Sequence, residues 1–300
     1  MPPLSTDLRA KGNPANTWRK HGRDGVVRIA IAVAIGIAAA VNLWLAWRSV
    51  GIVVSGAPAV DWDQIVSATE RVTAGGLYEV SEAYAFPYSP LLAFLFSPLT
   101  WIGTLGWRAL HFVAALALPS WPMRILTLIS WPFWFDVETG NVLVFVLLAA
   151  TWGIRGNRLG IIAFLVLTVL VPRPLMLPVA AWLLWKHPHW RLPTLGLVAA
   201  SAALVALSGW GPEWIGFLSS IGQHFDSPNN LGPTRLLGAG WLVVGVPLAT
   251  WLTWKGRLGW ASVAASYPYL LPYYLVMLLL EGGPRPPAAR RDETTGSVEA

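Results

Sequence analysis

The sequence predicts an all-α membrane protein: a polytopic transmembrane helical bundle of about 8–11 membrane helices, several short or broken. Three observations carry that expectation. Of the 300 residues, 55% are hydrophobic and only 12% charged, about half the charged share of a soluble domain. The mean hydropathy is +0.54, too high for a domain with a wetted surface. There are 19 Trp residues, a residue whose apolar ring and wet N–H suit the membrane interface. The chain has no cysteine, which excludes disulfides and thiolate chemistry. The net charge of +6 sits in short basic clusters between apolar runs, as the positive-inside rule places them. Nucleic-acid binding is therefore not expected.

Residues 1–25 are polar, with Arg9, Lys11, Arg19, Lys20 and Arg23 outweighing Asp7 and Asp24. They read as a disordered cytosolic arm. The apolar run from Val26 to Trp47 has about the ~20 residues that span a bilayer. A signal peptide is the rival reading, but the run is long for one. An uncleaved first helix with a cytoplasmic N-terminus follows. Residues 49–88 form an acidic outer loop carrying Asp61, Asp63, Glu70, Glu79 and Glu82. Within it Ile65, Val66, Ala68, Val72 and Leu77 allow one amphipathic helix lying along the membrane surface.

Beyond Pro87 the apolar runs fall at 89–104, 107–119, 122–135, 141–153, 159–172, 174–186, 194–208, 236–254 and 259–280. Many are near 13 residues, a helix of only ~20 Å against a ~30 Å hydrocarbon core. Half-helices of that kind are tolerated where they line a buried, wet cavity. Arg155 and Arg158, then Lys186 to Arg191, then Lys255 and Arg257 belong inside. That leaves 209–235 as a second outer loop and Arg173 as a cation at the outer rim. The membrane domain thus runs over 26–281, and 282–300 reads as a disordered tail.

Four features could carry chemistry. Asp61-Trp62-Asp63 places two carboxylates close enough to share a cation or to make one a base. Ala85-Phe86-Pro87-Tyr88-Ser89-Pro90 makes a stiff turn leading into a helix, where anchoring by the aromatics is the plain alternative. Val171-Pro172-Arg173-Pro174 breaks a helix beside a guanidinium, whose fork matches a phosphate. The loop around His224, Asp226, Asn229, Asn230 and Arg235 is the fourth, although a lone loop histidine is ordinarily a solvated bystander. Nucleotide-binding and hydrolase motifs are absent from the sequence.

The order of these features resembles the opening of glycosyltransferase family 87, membrane enzymes of the GT-C superfamily. Asp61, Ala68, Gly75, Gly76, Tyr78, Tyr88 and Pro90 fall in the family's order. Further on, Gly140-Asn141, Arg173-Pro174 (where the family more often has Lys-Pro) and Ser266-Tyr267-Pro268-Tyr269 are similar to its later segments. Ile65 stands where an aromatic is usual, Tyr where a late His often occurs, and the chain is short for the family. The resemblance covers about 60–280 and rests on the ordered set.

It implies a GT-C-like bundle with an outward-facing cavity in the cell membrane. The activity implied is transfer of a sugar, most often mannose, from a polyprenyl-phosphate donor to a lipid or glycan acceptor hydroxyl, with inversion. Asp61 or Asp63 would act as base, and Arg173, with Arg235 as second candidate, would hold the donor phosphate. Tyr78, Tyr88, Asn141, His224 and Asp226 would bind substrate. No cofactor is required, although the Asp61/Asp63 pair is compatible with a divalent metal. A transporter or flippase of a lipid-linked or small solute is the alternative, as is a non-catalytic scaffold. A transporter would ordinarily show an internal repeat, and the sequence has none.

Overall fold

The computed structural model describes residues 14–74, 77, 88–220, 229–267 and 269–282. Every regular element among them is a helix, and none is a strand. The chain divides into two units, Met1–Leu45 and Ala46–Ala300. The described residues of the first unit belong to one helix, α1 (Pro14–Val54). It begins earlier than the Val26 start expected, so the arm foreseen at 1–25 is helical from Pro14. Proline suits a first helical turn because its fixed φ fits and its missing N–H needs no partner.

The second unit holds the remaining helices. α2 (Val60–Ala74), α3 (Pro90–Phe96) and α4 (Gly103–Leu116) come first, followed by α5 (Trp121–Ile129), α6 (Trp131–Thr139), α7 (Leu143–Ile154) and α8 (Arg158–Leu170). Then come α9 (Leu177–Lys186), α10 (Arg191–Leu207), α11 (Gly211–Ser220), α12 (Thr234–Leu237), α13 (Trp241–Trp254) and α14 (Leu258–Ala264). A 3₁₀ helix, Pro272–Gly282, closes the described chain.

Among the described residues, four stretches are long and apolar enough to cross a membrane: Val26–Val54, Pro90–Leu116, Pro188–Leu207 and Thr234–Trp254. The chain is accordingly built as a membrane protein. The runs expected apart at 89–104 and 107–119 form one of these stretches, because a 3₁₀ segment at Ser97–Ile102 bridges them. The run at 122–135 is instead cut in two. Ser130 is extended (φ −86°, ψ 135°) ahead of Pro132 in the first turn of α6, and proline cannot carry a helix backward through that point. The loop expected at 209–235 contains α11.

Some of the short helices, α7 foremost, form the interior. In α7, Leu143, Val144, Val146, Leu147, Ala149 and Ala150 are all buried. α7 meets α8 through glycines: a Cβ on Gly160 would lie 2.6 Å from the Gly153 nitrogen. Small residues at such crossings let backbones approach closely. The amphipathic helix foreseen along the membrane surface exists as α2, but its apolar face is not laid on lipid. Trp62, Ile65, Ala68 and Val72 are buried in the same core cluster as α7. Packing α2 against protein turns the acidic first turn, Asp61 and Asp63, from loop into structure.

Candidate functional site: a hydrogen-bonded chain from Asp61 to Arg173

Asp61 lies on the buried stripe of α2. Ile65, Ala68 and Val72 follow it at i+4, i+7 and i+11, the spacing of one helix face, and all three are buried. Asp63, two residues on, points elsewhere because i and i+2 do not share a face; it is exposed. The two carboxylates therefore do not converge on one cation. Among the described residues no group of three or more His, Asp or Glu is arranged to hold a metal.

The partner of Asp61 comes from the turn between α6 and α7. Gly140 ends α6 in the left-handed conformation (φ 72°, ψ 32°). A Cβ there would lie 2.8 Å from the Trp62 Cβ and 3.0 Å from that of Ala59, so glycine is required by both dihedral and space. Trp62 stacks on Trp107 with ring centroids 4.6 Å apart, and Trp107 Nε1 donates to the Gly140 carbonyl at 2.8 Å. Arg108 closes the same corner by donating to the carbonyls of Ala57, Val137 and Glu138.

The next residue, Asn141, is fully buried and fully used. Its Nδ2 donates to Asp61 Oδ2 at 2.5 Å and to the Tyr88 hydroxyl at 3.2 Å. Its Oδ1 accepts from Val142 N–H at 2.8 Å. Its own N–H donates to the Asp136 carbonyl at 3.0 Å. Asp136 in turn caps α7, accepting from Leu143 N–H at 3.3 Å and Val144 N–H at 2.8 Å. A carboxylate suits that place because it satisfies free N–H groups at the positive end of the helix.

Tyr88 carries the chain onward. Ser89 caps α3 by accepting from Leu91 N–H, with Pro90 as the first helical residue. Ser89 N–H donates to the Leu170 carbonyl at 3.2 Å, tying the start of α3 to the end of α8. There Pro172 and Pro174 stop the helix and hold Arg173 extended (φ −115°, ψ 131°), as proline does to the residue before it. Arg173 Nη2 donates to the Tyr88 hydroxyl at 2.8 Å. The guanidinium lies 5.1 Å from the Tyr88 ring centroid, 5.6 Å from that of Tyr273 and 5.1 Å from that of Tyr274, a cage that favours a cation. Its Nη1 is buried without a hydrogen-bond partner among the described residues. A buried charged donor left open is costly, and it marks where an anion would be held.

The electrostatics of Asp61 suit a proton acceptor. Burial pushes its carboxyl above the usual carboxylate range, while the Asn141 hydrogen bond and the Arg173 charge pull the other way. Partial burial also raises Asp63, against the pull of Arg108.

Beside this polar chain opens an apolar cavity of about 720 Å³, within the usual size of a ligand site. It starts at Pro174, next to Arg173, and runs between α9 and α13 past Trp182, Gly245 and Ala249 to Trp185 and Trp254. Helix connectivity sets its two ends apart. α7 begins at the site and leads to Arg155 and Arg158, whereas α8 returns to Arg173 and α9 leads away to Lys186.

Of the residues singled out in the sequence, the structure joins Asp61, Asn141, Tyr88 and Arg173. Asp63 stands outside the chain. Arg235 is exposed on α12, and no described side-chain contact links it to the other four; the phosphate role considered for it gains nothing from its position. Tyr78, His224 and Asp226 lie outside the described residues. The sequence reasoning missed Asp136, His111, Tyr273 and Tyr274. An acid within Trp134-Phe135-Asp136-Val137 and a histidine within Leu110-His111-Phe112 are ionisable residues in apolar runs, the pattern that would have exposed them. No family model matches the chain, and no curated protein or solved structure matches it either.

Proposed function

We propose that this protein is a membrane glycosyltransferase of the GT-C type, its membrane helices enclosing an outward-facing site. In this reading it moves a sugar, most often mannose, from a polyprenyl-phosphate donor to a hydroxyl of a lipid or glycan acceptor. The observation that carries the proposal is the chain from Asp61 through Asn141 and Tyr88 to Arg173. It holds a carboxylate and a guanidinium together without letting them neutralise each other in a direct ion pair.

Each end has a part in a displacement at the anomeric carbon. Asp61 takes the proton of the acceptor hydroxyl as its oxygen forms the new C–O bond. The bond from that carbon to the phosphate oxygen breaks, with inversion, and its electron pair leaves on the lipid phosphate. Arg173 Nη1, open in the structure, donates to that phosphate as its charge grows. The apolar cavity starting at Pro174 takes the first part of the lipid chain. Basic residues at the opposite helix ends, Arg155, Arg158, Lys186 and Lys255, favour an inner position for those ends and an outer one for the site. The scheme needs no metal.

The test is incubation of the purified chain with labelled polyprenyl-phosphate sugars and an extract of membrane acceptors. Consumption of donor by the wild-type protein and not by Asp61→Asn is expected. Equal consumption by both would remove Asp61 as base, and no consumption with any polyprenyl-phosphate sugar would remove the reading.

A further inference from the structure

Behind Asn141 lies a group with no part in the scheme above. His111 on α4 is fully buried, and both of its ring nitrogens face carbonyl oxygens. Nδ1 is 2.9 Å from the Trp107 carbonyl, and Nε2 is 2.7 Å from that of Asn141. A neutral imidazole has one N–H and one lone pair, so it can satisfy only one of these contacts. The other would set a lone pair against a carbonyl oxygen inside hydrogen-bond distance. A ring protonated on both nitrogens donates to both. The counter-charge is in place, with Asp136 Oδ2 3.8 Å from Nε2.

The remaining charged groups nearby are otherwise engaged. Arg108, on the same helix, is turned onto the Ala57, Val137 and Glu138 carbonyls. Asp61 is bonded to Asn141. Asp63 is exposed, Glu138 follows on α6, and α7 carries no ionisable residue.

We propose that His111 is an internal imidazolium paired with Asp136, and that this pair is the positioning device for Asn141. The ring holds the Asn141 carbonyl while the Asp136 main chain holds its N–H. Gripped at both ends of its backbone, Asn141 can offer its amide only toward Asp61 and Tyr88. An ionisable pair inside an apolar bundle is expensive and is ordinarily kept for function. His111 is a positioning residue here, since it touches neither Asp61 nor Arg173. Its role in transfer rests on the function proposed above, whereas its charge state does not.

The experiment uses the full chain in lipid nanodiscs with ¹⁵N-labelled histidine rings. Replacing His21, His187, His189 and His224 with Gln leaves His111 as the sole labelled ring. Two protonated ring nitrogens at neutral pH are expected; one bare nitrogen overturns the proposal. Asp136→Asn removes the counter-charge, so the ring is expected to lose one N–H, and an unchanged ring would refute the pairing. In His111→Gln the Asn141 side-chain amide resonances are expected to move, and unmoved resonances would overturn the positioning role. Transfer by His111→Gln is expected to fall roughly tenfold to a hundredfold in kcat with KM little changed. Should wild-type protein transfer no sugar at all, the function proposed above fails, while the ring and amide spectra still decide this inference.

Discussion

α7 and α13 are both strongly apolar helices without a charged residue, yet they occupy opposite environments. α7, twelve residues long, buries most of its length. α13, at fourteen residues, buries only Gly245 and Ala249 and leaves Val243, Val246, Trp251 and Trp254 exposed. Hydropathy does not separate them; what stands at their ends does. α7 starts under Asp136 and Asn141, whose polar atoms satisfy its first turn, and it can be short because its surroundings are protein. α13 belongs to a stretch, Thr234–Trp254, long enough to cross a bilayer, as a lipid-facing helix must be. The short, buried helix opens the polar end of the site, whereas the long, exposed one lines its apolar end.

The largest expected effects test the polar end. Asp61→Asn should lower transfer on the order of 10²–10⁴-fold, the usual worth of a general base. Asp63→Asn should leave it within about twofold, since two residues along the helix, roughly half a turn, point that carboxylate away. Comparable losses in the two variants, measured in one donor-consumption assay, would erase the distinction drawn between them.

Arg173→Ala should cost on the order of 10²–10³-fold, with Arg173→Lys retaining part of the rate. A lysine keeps the charge but not the fork that bonds Tyr88 with one arm and offers the other. Equal losses would argue against phosphate binding by that arm.

Asp61 also sets a pH dependence. Its carboxyl is raised by burial, and the base must be ionised. The acidic limb of the rate profile should therefore lie above the ordinary carboxylate range, with activity rising as pH rises through it. Arg173→Gln removes an opposing pull and should move the limb higher still; a limb at the ordinary position in both proteins would contradict the buried environment.

For stability, Gly140→Ala should cost roughly 2–5 kcal/mol, combining a left-handed backbone with a clash against Trp62. Gly256→Ala shares the positive φ but meets nothing within 4 Å, so about 1–2 kcal/mol is expected. Thermal unfolding in detergent separates the two. At the apolar end, Ala249→Trp should fill the cavity and raise the KM for a lipid-linked donor by about tenfold, near 1.4 kcal/mol. An unchanged KM would free the cavity from that role.

Much of this was legible in the sequence, for identifiable reasons. Composition fixed the class. The proline pair around Arg173 marked a backbone break that stands where expected, and Pro90 opens α3, because proline acts locally. The half-buried position of Asp61 could also be read, since Ile65, Ala68 and Val72 follow it at one-face spacing. Whether that face met lipid or protein could not be read, because it depends on Trp107 and Gly140, far along the chain. The cage of Tyr273 and Tyr274 was hidden for the same reason: nothing near Arg173 in sequence announces a 3₁₀ helix a hundred residues later. The run at 259–280 also looked like one helix, whereas α14 stops at Ala264 and the chain resumes as 3₁₀ at Pro272.

That Asp61 and Arg173 belong to one site can be measured without any assumption about substrate. A double-mutant cycle of Asp61→Asn and Arg173→Gln, read by unfolding in detergent, isolates their coupling. Two opposite charges joined through Asn141 and Tyr88 should couple favourably by roughly 0.5–3 kcal/mol, whereas additivity within about 0.5 kcal/mol would place them in separate surroundings and contradict the account.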